Sequence, residues 1–138
     1  MKVIFLDIDG VLNDFTNGIY ADDTPTDQHL AQLKYIVEAT GAEIVLSSSW
    51  RTKSRDYKLV VKRLADFDMK LFGMTAELRG GRSEEIKDWL NNHQEVTSYV
   101  ILDDIEMPDE LKARQVRTTL AYGLLPSHAK KAIDILNR

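Results

Sequence analysis

The sequence contains no cysteine, which excludes a disulfide framework and a zinc site built from thiolates. It also lacks any apolar run close to the roughly 20 residues that a membrane-spanning helix requires. The apolar start, residues 1–6, is shorter than a signal-peptide core and leads directly into Asp7. No repeat, low-complexity segment or linker divides the chain, of which 43% is hydrophobic and 29% charged. We therefore expect one globular domain, residues 1–138, located in the cytoplasm and without a membrane partner.

The sequence also has no excess of positively charged residues. The net charge is −4, so the chain has no general attraction to polyanions. Acidic residues cluster at positions 7–27 and 103–110, whereas residues 51–63 are basic. This basic stretch is typical of a solvated helix face, and the alternative is a surface that follows a polyanionic substrate. Its members are Arg51, Lys53, Arg55, Lys58, Lys62 and Arg63.

Five apolar segments resemble buried parallel strands because their hydrophobic residues are continuous rather than alternating. They span residues 3–6, 43–46, 70–72, 99–102 and 116–118. Segments with helical spacing separate them. Strands that alternate with helices predict an α/β fold with a doubly wound parallel sheet, here of about five strands. Ligands of such sheets bind beyond the carboxyl ends of the strands, where the strand order changes direction.

The sequence also predicts where the helices begin. We expect Thr24 to cap the first one, with Pro25 at its first position and Asp27 completing a capping box, and Gly41 to end it. The inward face of this helix should carry Leu30, Leu33 and Val37. Ser54 and Ser127 are candidate caps of two later helices, and apolar residues between 86 and 93 indicate another.

A pair of aspartates follows the first predicted strand, where residues 7–12 read Asp-Ile-Asp-Gly-Val-Leu. A calcium loop would need Gly where Leu12 stands and Glu where Gly18 stands, so this pattern is not one. The spacing suits phosphoryl transfer, in which Asp7 attacks phosphorus while Asp9 protonates the leaving oxygen and later activates water. Gly10 allows the chain to turn away without blocking the site.

A second pair, Asp103 and Asp104, follows the strand at 99–102. At the same sheet edge these acids would repel Asp7 and Asp9, by about 4 kcal/mol per contact at ~4 Å and an effective dielectric near 20. A divalent cation would relieve this repulsion, and oxygen ligands favour Mg²⁺ over zinc or copper. The sequence therefore predicts a Mg²⁺ site formed by all four acids.

Two further segments suit a phosphate group. Residues 47–51 read Ser-Ser-Ser-Trp-Arg directly after a predicted strand, where hydroxyls and backbone N–H groups can bind phosphate oxygens. Arg82 precedes a predicted helix, where a fixed cation can offset charge on the transferred group. Taken alone, these residues are also compatible with an ordinary serine loop and a surface arginine.

In their order along the chain these motifs resemble the haloacid dehalogenase (HAD) superfamily, in its phosphatase branch and over nearly the whole chain. Residues 30–41, 44–51, 82–90 and 123–136 are more narrowly similar to the HAD domains of Swiss Army Knife RNA-repair proteins. The resemblance implies a Rossmann-like core and the following roles. Asp7 is the nucleophile, Asp9 the general acid and base, Ser47 the phosphate-holding hydroxyl, Arg82 the phosphate-stabilising cation, and Asp103 a metal ligand assisted by Asp104.

Two of these assignments have alternatives. Ser48 competes with Ser47 as the phosphate ligand, and we assign it to substrate binding. Lys87 competes with Arg82, since arginine stands where the family more often has lysine, and the two cations are not interchangeable.

The resemblance also bears on substrate size. The two slots that hold cap domains in the superfamily are residues 13–23 and 74–81 here, too short for a folded cap. An open site favours a phosphorylated nucleic-acid end, a nucleotide or a protein over a small sugar phosphate. Trp50 and Arg51 would then contact a base or a backbone phosphate, with packing as the alternative for Trp50.

We therefore expect a Mg²⁺-dependent phosphomonoester hydrolase that acts through an aspartyl-phosphate. The alternative is a catalytically weak HAD-like module that binds a nucleotide or a protein partner. Two other classes do not fit the sequence. A receiver domain would carry its phosphorylated aspartate after a middle strand, and a dehalogenase would need neither Asp9 nor a metal. The three histidines, His29, His93 and His128, lack ligand spacing and are expected on the surface or on helix faces.

Overall fold

The computed structural model describes residues 1–16 and 23–138. Its strands are β1 (Lys2–Leu6), β2 (Glu43–Leu46), β3 (Leu71–Met74), β4 (Ser98–Asp103) and β5 (Gln115–Arg117). Its α-helices are α1 (Asp27–Thr40), α2 (Ser54–Asp66), α3 (Arg82–Asn91), α4 (Asp109–Lys112) and α5 (Pro126–Leu136). A short 3₁₀ helix, Ser49–Thr52, precedes α2.

The five strands form one parallel sheet in the order β3-β2-β1-β4-β5. The predicted α/β architecture is confirmed, and the predicted strand bounds differ by at most two residues. From β1 the chain builds outward through β2 and β3, then returns to place β4 on the other side of β1. The strand order therefore changes direction between β1 and β4, and ligands of such sheets bind at this point.

Helices cover both faces of the sheet, which explains the continuous apolar strands. Ile4 and Leu6 of β1 belong to a core shared with α1, α2 and α5. Val3 and Phe5 point to the opposite face and pack with residues of α3 and α4. A strand buried on both faces cannot alternate apolar with polar residues, and all four of these side chains are fully buried.

Helix α1 begins two residues later than predicted. Its N-cap is Thr26, whose hydroxyl accepts a hydrogen bond from the backbone N–H of His29 at 3.3 Å. The Thr26 N–H is itself held by the carbonyl of Leu12 at 2.8 Å, which ties this segment to the turn after β1. The end at Gly41 is confirmed, with φ of 70° and an N–H bonded to the carbonyl of Val37 at 2.8 Å.

The other helix predictions need smaller corrections. Ser54 is the first residue of α2 and Ser127 the second of α5, so neither is an N-cap. In α1, Leu30 and Leu33 are buried as predicted, and Ile36 completes the inward face. Val37 is only partly buried there.

His29 lies on α1, in agreement with the helix-face alternative, but its side chain is 1% exposed and therefore not at the surface. Its Nδ1 lies 2.9 Å from the carbonyl oxygen of Leu124, and its Nε2 lies 2.7 Å from Oδ2 of Asp14. Both ring nitrogens face acceptors. The two contacts of His29 therefore link α1 to the segment after β1 and to the segment just before α5. Gly123 supports this packing, since a Cβ at that position would lie 2.7 Å from Nε2 of His29.

The described residues contain no cap domain, and β3 is joined to α3 by residues 75–81 alone. Of the other insert, residues 13–23, positions 17–22 lie outside the described part of the chain. Among the described residues, no helix is long and apolar enough to cross a membrane.

Candidate active site

The carboxyl ends of β1 and β4 bring acidic side chains together at the switch in strand order. Asp7 continues β1, and its N–H donates to the carbonyl of Leu102 at 3.0 Å. Carboxylate oxygens of Asp7, Asp103 and Asp104 lie within 4.8 Å of one another. Asp7 is 5% exposed and Asp103 is 1% exposed. These three residues are called the acid cluster below.

The acid cluster is electrostatically unfavourable when no cation is bound. Burial, together with the charge of Asp103, raises the pKa of Asp7 from 3.8 to about 7, although the Arg82 guanidinium and the Ile8 N–H act in the opposite direction. Burial also raises the pKa of Asp103, against the lowering effect of Arg82. A divalent cation would favour the ionised form of both groups. An all-oxygen donor set of this kind fits a hard cation such as Mg²⁺.

Arg82 contacts two carboxylates of the acid cluster. It is the first residue of α3, and its Nη1 donates to Oδ2 of Asp103 and lies 3.5 Å from Oδ2 of Asp7. Lys87 is turned away from the cluster and pairs with Glu84 and Glu110 at the surface. The geometry therefore favours Arg82 over Lys87 as the cation next to Asp7.

Asp9 is not part of the acid cluster, although the sequence predicts four converging acids. Its Oδ2 accepts a hydrogen bond from Nε1 of Trp50 at 3.1 Å, and its Oδ1 accepts one from Nδ2 of Asn13 at 2.9 Å. Trp50 is 5% exposed, which supports the packing alternative for this side chain. Its hydrogen bond to Asp9 and the role of Asn13 were not predicted, because no local pattern indicates them.

Gly10 occupies the turn after Asp9, with φ of 76°. A Cβ at this position would lie 3.1 Å from Cγ of Asp104 and from Cα of Leu120. The hydroxyl of Thr118 donates to the Gly10 carbonyl at 2.6 Å and anchors the turn to the segment after β5. A side chain here would be strained and would crowd Asp104, so glycine keeps the acid cluster accessible.

The two buried serines after β2 are in different situations. Ser47 is 1% exposed, and its Oγ has no hydrogen-bond partner among the described residues. The Ser48 hydroxyl accepts from the N–H of Trp50 at 3.2 Å and contributes to lowering the pKa of Asp7 against the larger effect of burial. Ser47 therefore has a free buried hydroxyl, the feature required of a ligand for a phosphate oxygen.

Arg51 does not face the solvent, as a direct substrate contact would require. Its side chain is 6% exposed, its Nη2 lies 2.8 Å from Oε2 of Glu85, and its Nη1 donates to the carbonyl of Ser48 at 2.6 Å. Glu85 also accepts from the N–H of Leu78 at 2.9 Å and lies 3.9 Å from Nε of Arg82. Glu85 was missed by the sequence analysis, although its position three residues after Arg82 places the two on one helix face.

The rest of the basic stretch supports the interpretation as a solvated helix face. Lys53, Arg55, Lys58 and Lys62 are exposed, and Arg63 pairs with Asp27 and Asp66. Since α2 starts near the end of β2 and returns to the start of β3, only its first residues lie near the carboxyl edge of the sheet.

Two surface cavities are lined by Arg82 or by Asp104. One, of about 260 Å³, is lined by Ser49, Arg51, Leu78, Arg82, Glu85 and Ile105 among others. The second, of about 430 Å³, is lined by Asp104, Arg117, Thr118, Thr119 and Leu120. Both are open at the surface, so a substrate larger than a phosphate ion has room beside Arg82 and beside Asp104.

A five-stranded parallel sheet with order β3-β2-β1-β4-β5, and with buried aspartates and an arginine at its switch point, is the core of a HAD-type hydrolase. The family model described as "HAD domain in Swiss Army Knife RNA repair proteins" matches residues 3–129, and the chain belongs to this family. No curated protein and no solved structure shows a significant match to the chain.

Proposed function

We propose that this HAD-type domain hydrolyses phosphate monoesters through a covalent intermediate on Asp7. The observation that carries the proposal is that two carboxyl groups only two residues apart in the sequence, those of Asp7 and Asp9, have different partners. Asp7 is buried beside Arg82, whereas Asp9 is held elsewhere by Trp50 and Asn13. Two carboxyl groups in different environments can take different roles in one reaction.

In the first step an oxygen of Asp7 attacks phosphorus, and the bond from phosphorus to the leaving oxygen breaks. Asp9 transfers its proton to that oxygen and becomes a carboxylate. In the second step Asp9 takes a proton from a water molecule, whose oxygen attacks phosphorus. The bond between phosphorus and Asp7 then breaks, which releases inorganic phosphate and restores both side chains.

Two further side chains would bind the phosphoryl group directly. The free Ser47 hydroxyl can donate to one of its oxygens, and the Arg82 guanidinium can offset its charge while it is transferred. Ser48 would act through Asp7 and through the backbone of residues 47–51, called the phosphate loop here. Arg51 would support this loop through Ser48 and Glu85, and a direct contact with substrate would require the ion pair with Glu85 to open.

We also propose Mg²⁺ as the cofactor, held by the acid cluster of Asp7, Asp103 and Asp104. When bound, the ion supplies positive charge that keeps Asp7 ionised and neutralises the phosphate. The hydrogen bonds of the Asp9 carboxylate to Trp50 and Asn13 leave this carboxylate outside the ligand set.

For the substrate we propose a phosphorylated nucleic-acid end or a nucleotide. Support comes from the open cavities beside Arg82 and Asp104, and from the RNA-repair proteins in which the family's domains occur. A cytoplasmic location and a single domain over residues 1–138 stay predictions from the sequence.

The test is a phosphatase assay with an aryl phosphate, a mononucleotide, a phosphorylated oligonucleotide and a phosphopeptide, each with Mg²⁺ and with chelator. We expect turnover only with the metal and none in Asp7→Asn. For the esters whose leaving group is an alkoxide, we expect a loss of about 10²–10⁴-fold in Asp9→Asn. Asp134→Asn, which removes an exposed acid on α5, is the matched control. Wild-type activity of Asp7→Asn would disprove the mechanism. Specific ligand binding without turnover on any ester would favour a catalytically weak binding module.

A further inference from the structure

The carboxylate of Asp9 is held at both of its oxygens. Asn13 donates to Oδ1 at 2.9 Å and Trp50 donates to Oδ2 at 3.1 Å. Asn13 is completely buried and Trp50 is 5% exposed, whereas Asp9 itself is partly exposed. The two donors therefore hold the carboxylate from its buried side and leave another side open.

The surroundings of Asn13 determine which end of its amide faces Asp9. Its Oδ1 accepts from the N–H of Gly10 at 3.0 Å, and its Nδ2 also donates to the carbonyl of Asp23 at 2.7 Å. A flipped amide would set oxygen against two acceptors and nitrogen against an N–H donor. Only one orientation satisfies every partner, so the amide nitrogen faces Asp9.

Both neighbours of Asp9 are donors that cannot accept a proton. The indole N–H of Trp50 and the amide NH₂ of Asn13 have no acceptor lone pair in these contacts. A proton carried by Asp9 therefore cannot pass to either of them and has to leave on the open side. The same bonds prevent the carboxylate from turning toward the acid cluster.

We propose that Trp50 and Asn13 are positioning residues that orient Asp9 as the proton donor and keep its carboxylate out of the metal ligand set. The proposal rests on the phosphatase function proposed above. It assigns a role in proton transfer to a tryptophan and an asparagine that touch neither phosphate nor metal.

The test compares Trp50→Phe, which removes the N–H and keeps an aromatic ring, with Trp89→Phe. Trp89 is the other tryptophan, 6% exposed in the core on the opposite face of the sheet. The measurement is kcat/KM with Mg²⁺ for a series of phosphate monoesters, from nitrophenyl to alkyl esters. A nitrophenolate leaves without a proton, whereas an alkoxide requires one.

We expect Trp50→Phe to lower kcat/KM for alkyl esters by about 10- to 100-fold, the effect of a lost hydrogen bond to a charged group. For the nitrophenyl ester the change should stay within about twofold, because acid catalysis contributes little there. Trp89→Phe should show no dependence on the leaving group. Combined with Asp9→Asn, Trp50→Phe should cause no further loss, since both changes act on one group.

A second readout is the rise in melting temperature on addition of Mg²⁺ to the metal-free protein. It should be the same in wild type, Trp50→Phe and Asp9→Asn. If Trp50→Phe does not fold, Asn13→Ser removes the other donor and carries the same expectations.

Three results would overturn the proposal: an equal loss for all leaving groups, a loss that adds to that of Asp9→Asn, or a Mg²⁺ response that disappears with Asp9. Failure of the phosphatase function is a different result, because the wild-type protein would then turn over none of the esters.

Discussion

Replacing the buried Asp7 with asparagine should stabilise the metal-free protein at neutral pH. Burial, with the added charge of Asp103, raises the pKa of Asp7 from 3.8 to about 7, so the folded protein opposes its ionisation. A difference of roughly three pKa units corresponds to about 4 kcal/mol, at about 1.4 kcal/mol per unit. Asparagine carries no charge and keeps the carbonyl oxygen that accepts from the Ile8 N–H. We therefore expect the free energy of unfolding to rise by about 1–4 kcal/mol near pH 8.

The dependence on pH follows from the direction of the shift. Between about pH 4 and pH 7 the folded protein holds a proton on Asp7 that the unfolded chain has released. The free energy of unfolding of the wild type should therefore decrease as the pH rises through this window, and this contribution should be constant above it. Asp7→Asn lacks the group, so its stability should change less over the same range.

The assay is urea unfolding followed by circular dichroism, with chelator present, at intervals from about pH 5 to about pH 8. Asp134→Asn, at an exposed position on α5, controls for the loss of one negative charge. If Asp7→Asn is less stable than wild type near pH 8, or has the same pH dependence as Asp134→Asn, then burial does not penalise the Asp7 carboxylate and the reasoning fails.

Three other predictions follow from the same geometry. Mg²⁺ should raise the melting temperature of the wild type. Asp103→Ala removes a carboxylate of the acid cluster and should therefore need a higher Mg²⁺ concentration for an equal rise. If the variant needs no more Mg²⁺ than the wild type, the proposed site is contradicted. Arg51→Ala should lower the free energy of unfolding by about 3 kcal/mol, because it leaves the buried Glu85 without its closest cation. Lys58 is exposed, so the control Lys58→Ala should change the free energy of unfolding by less than about 0.5 kcal/mol. Equal stability of these two variants in urea unfolding would refute the role of the buried ion pair. A phosphorylated oligonucleotide should have a higher kcat/KM than a mononucleotide, with a preference that decreases as salt rises and is reduced in the double variant Lys53→Ala and Arg55→Ala. Equal efficiency that does not depend on salt would favour a small phosphoester as the substrate.

The differences between the predicted and observed elements have specific causes. Thr24 and Thr26 both stand ahead of the first helix, and local pattern alone favours the one followed by proline. Thr26 is the cap because its N–H is bonded to the carbonyl of Leu12, a contact made by the turn after β1. His29 has no ligand spacing in the sequence, yet Asp14 and Leu124 meet it from distant positions along the chain and bury it.

In the candidate site, too, some positions follow from the sequence pattern and others depend on contacts between distant residues. The positions of Asp7 and Asp103 follow from their places directly after apolar strands, and a parallel sheet brings such ends to one edge. The position of Asp9 does not follow, since Asp9 stands at the start of the turn after β1, and the contacts of Gly10, Asn13 and Trp50 decide where its side chain lies.

The amino-acid sequence by itself determined the alternation of strands and helices, the parallel sheet and the edge that carries the acids. These features depend on hydrophobic period and on residues adjacent in the chain, and such patterns can be read locally. Only the tertiary structure decided that Arg82 rather than Lys87 contacts the acid cluster, that Arg51 is paired with Glu85, and that Asp9 is held by two buried donors. These contacts join side chains from separate elements, and their distances arise only when the helices pack on the sheet and bury the polar groups together.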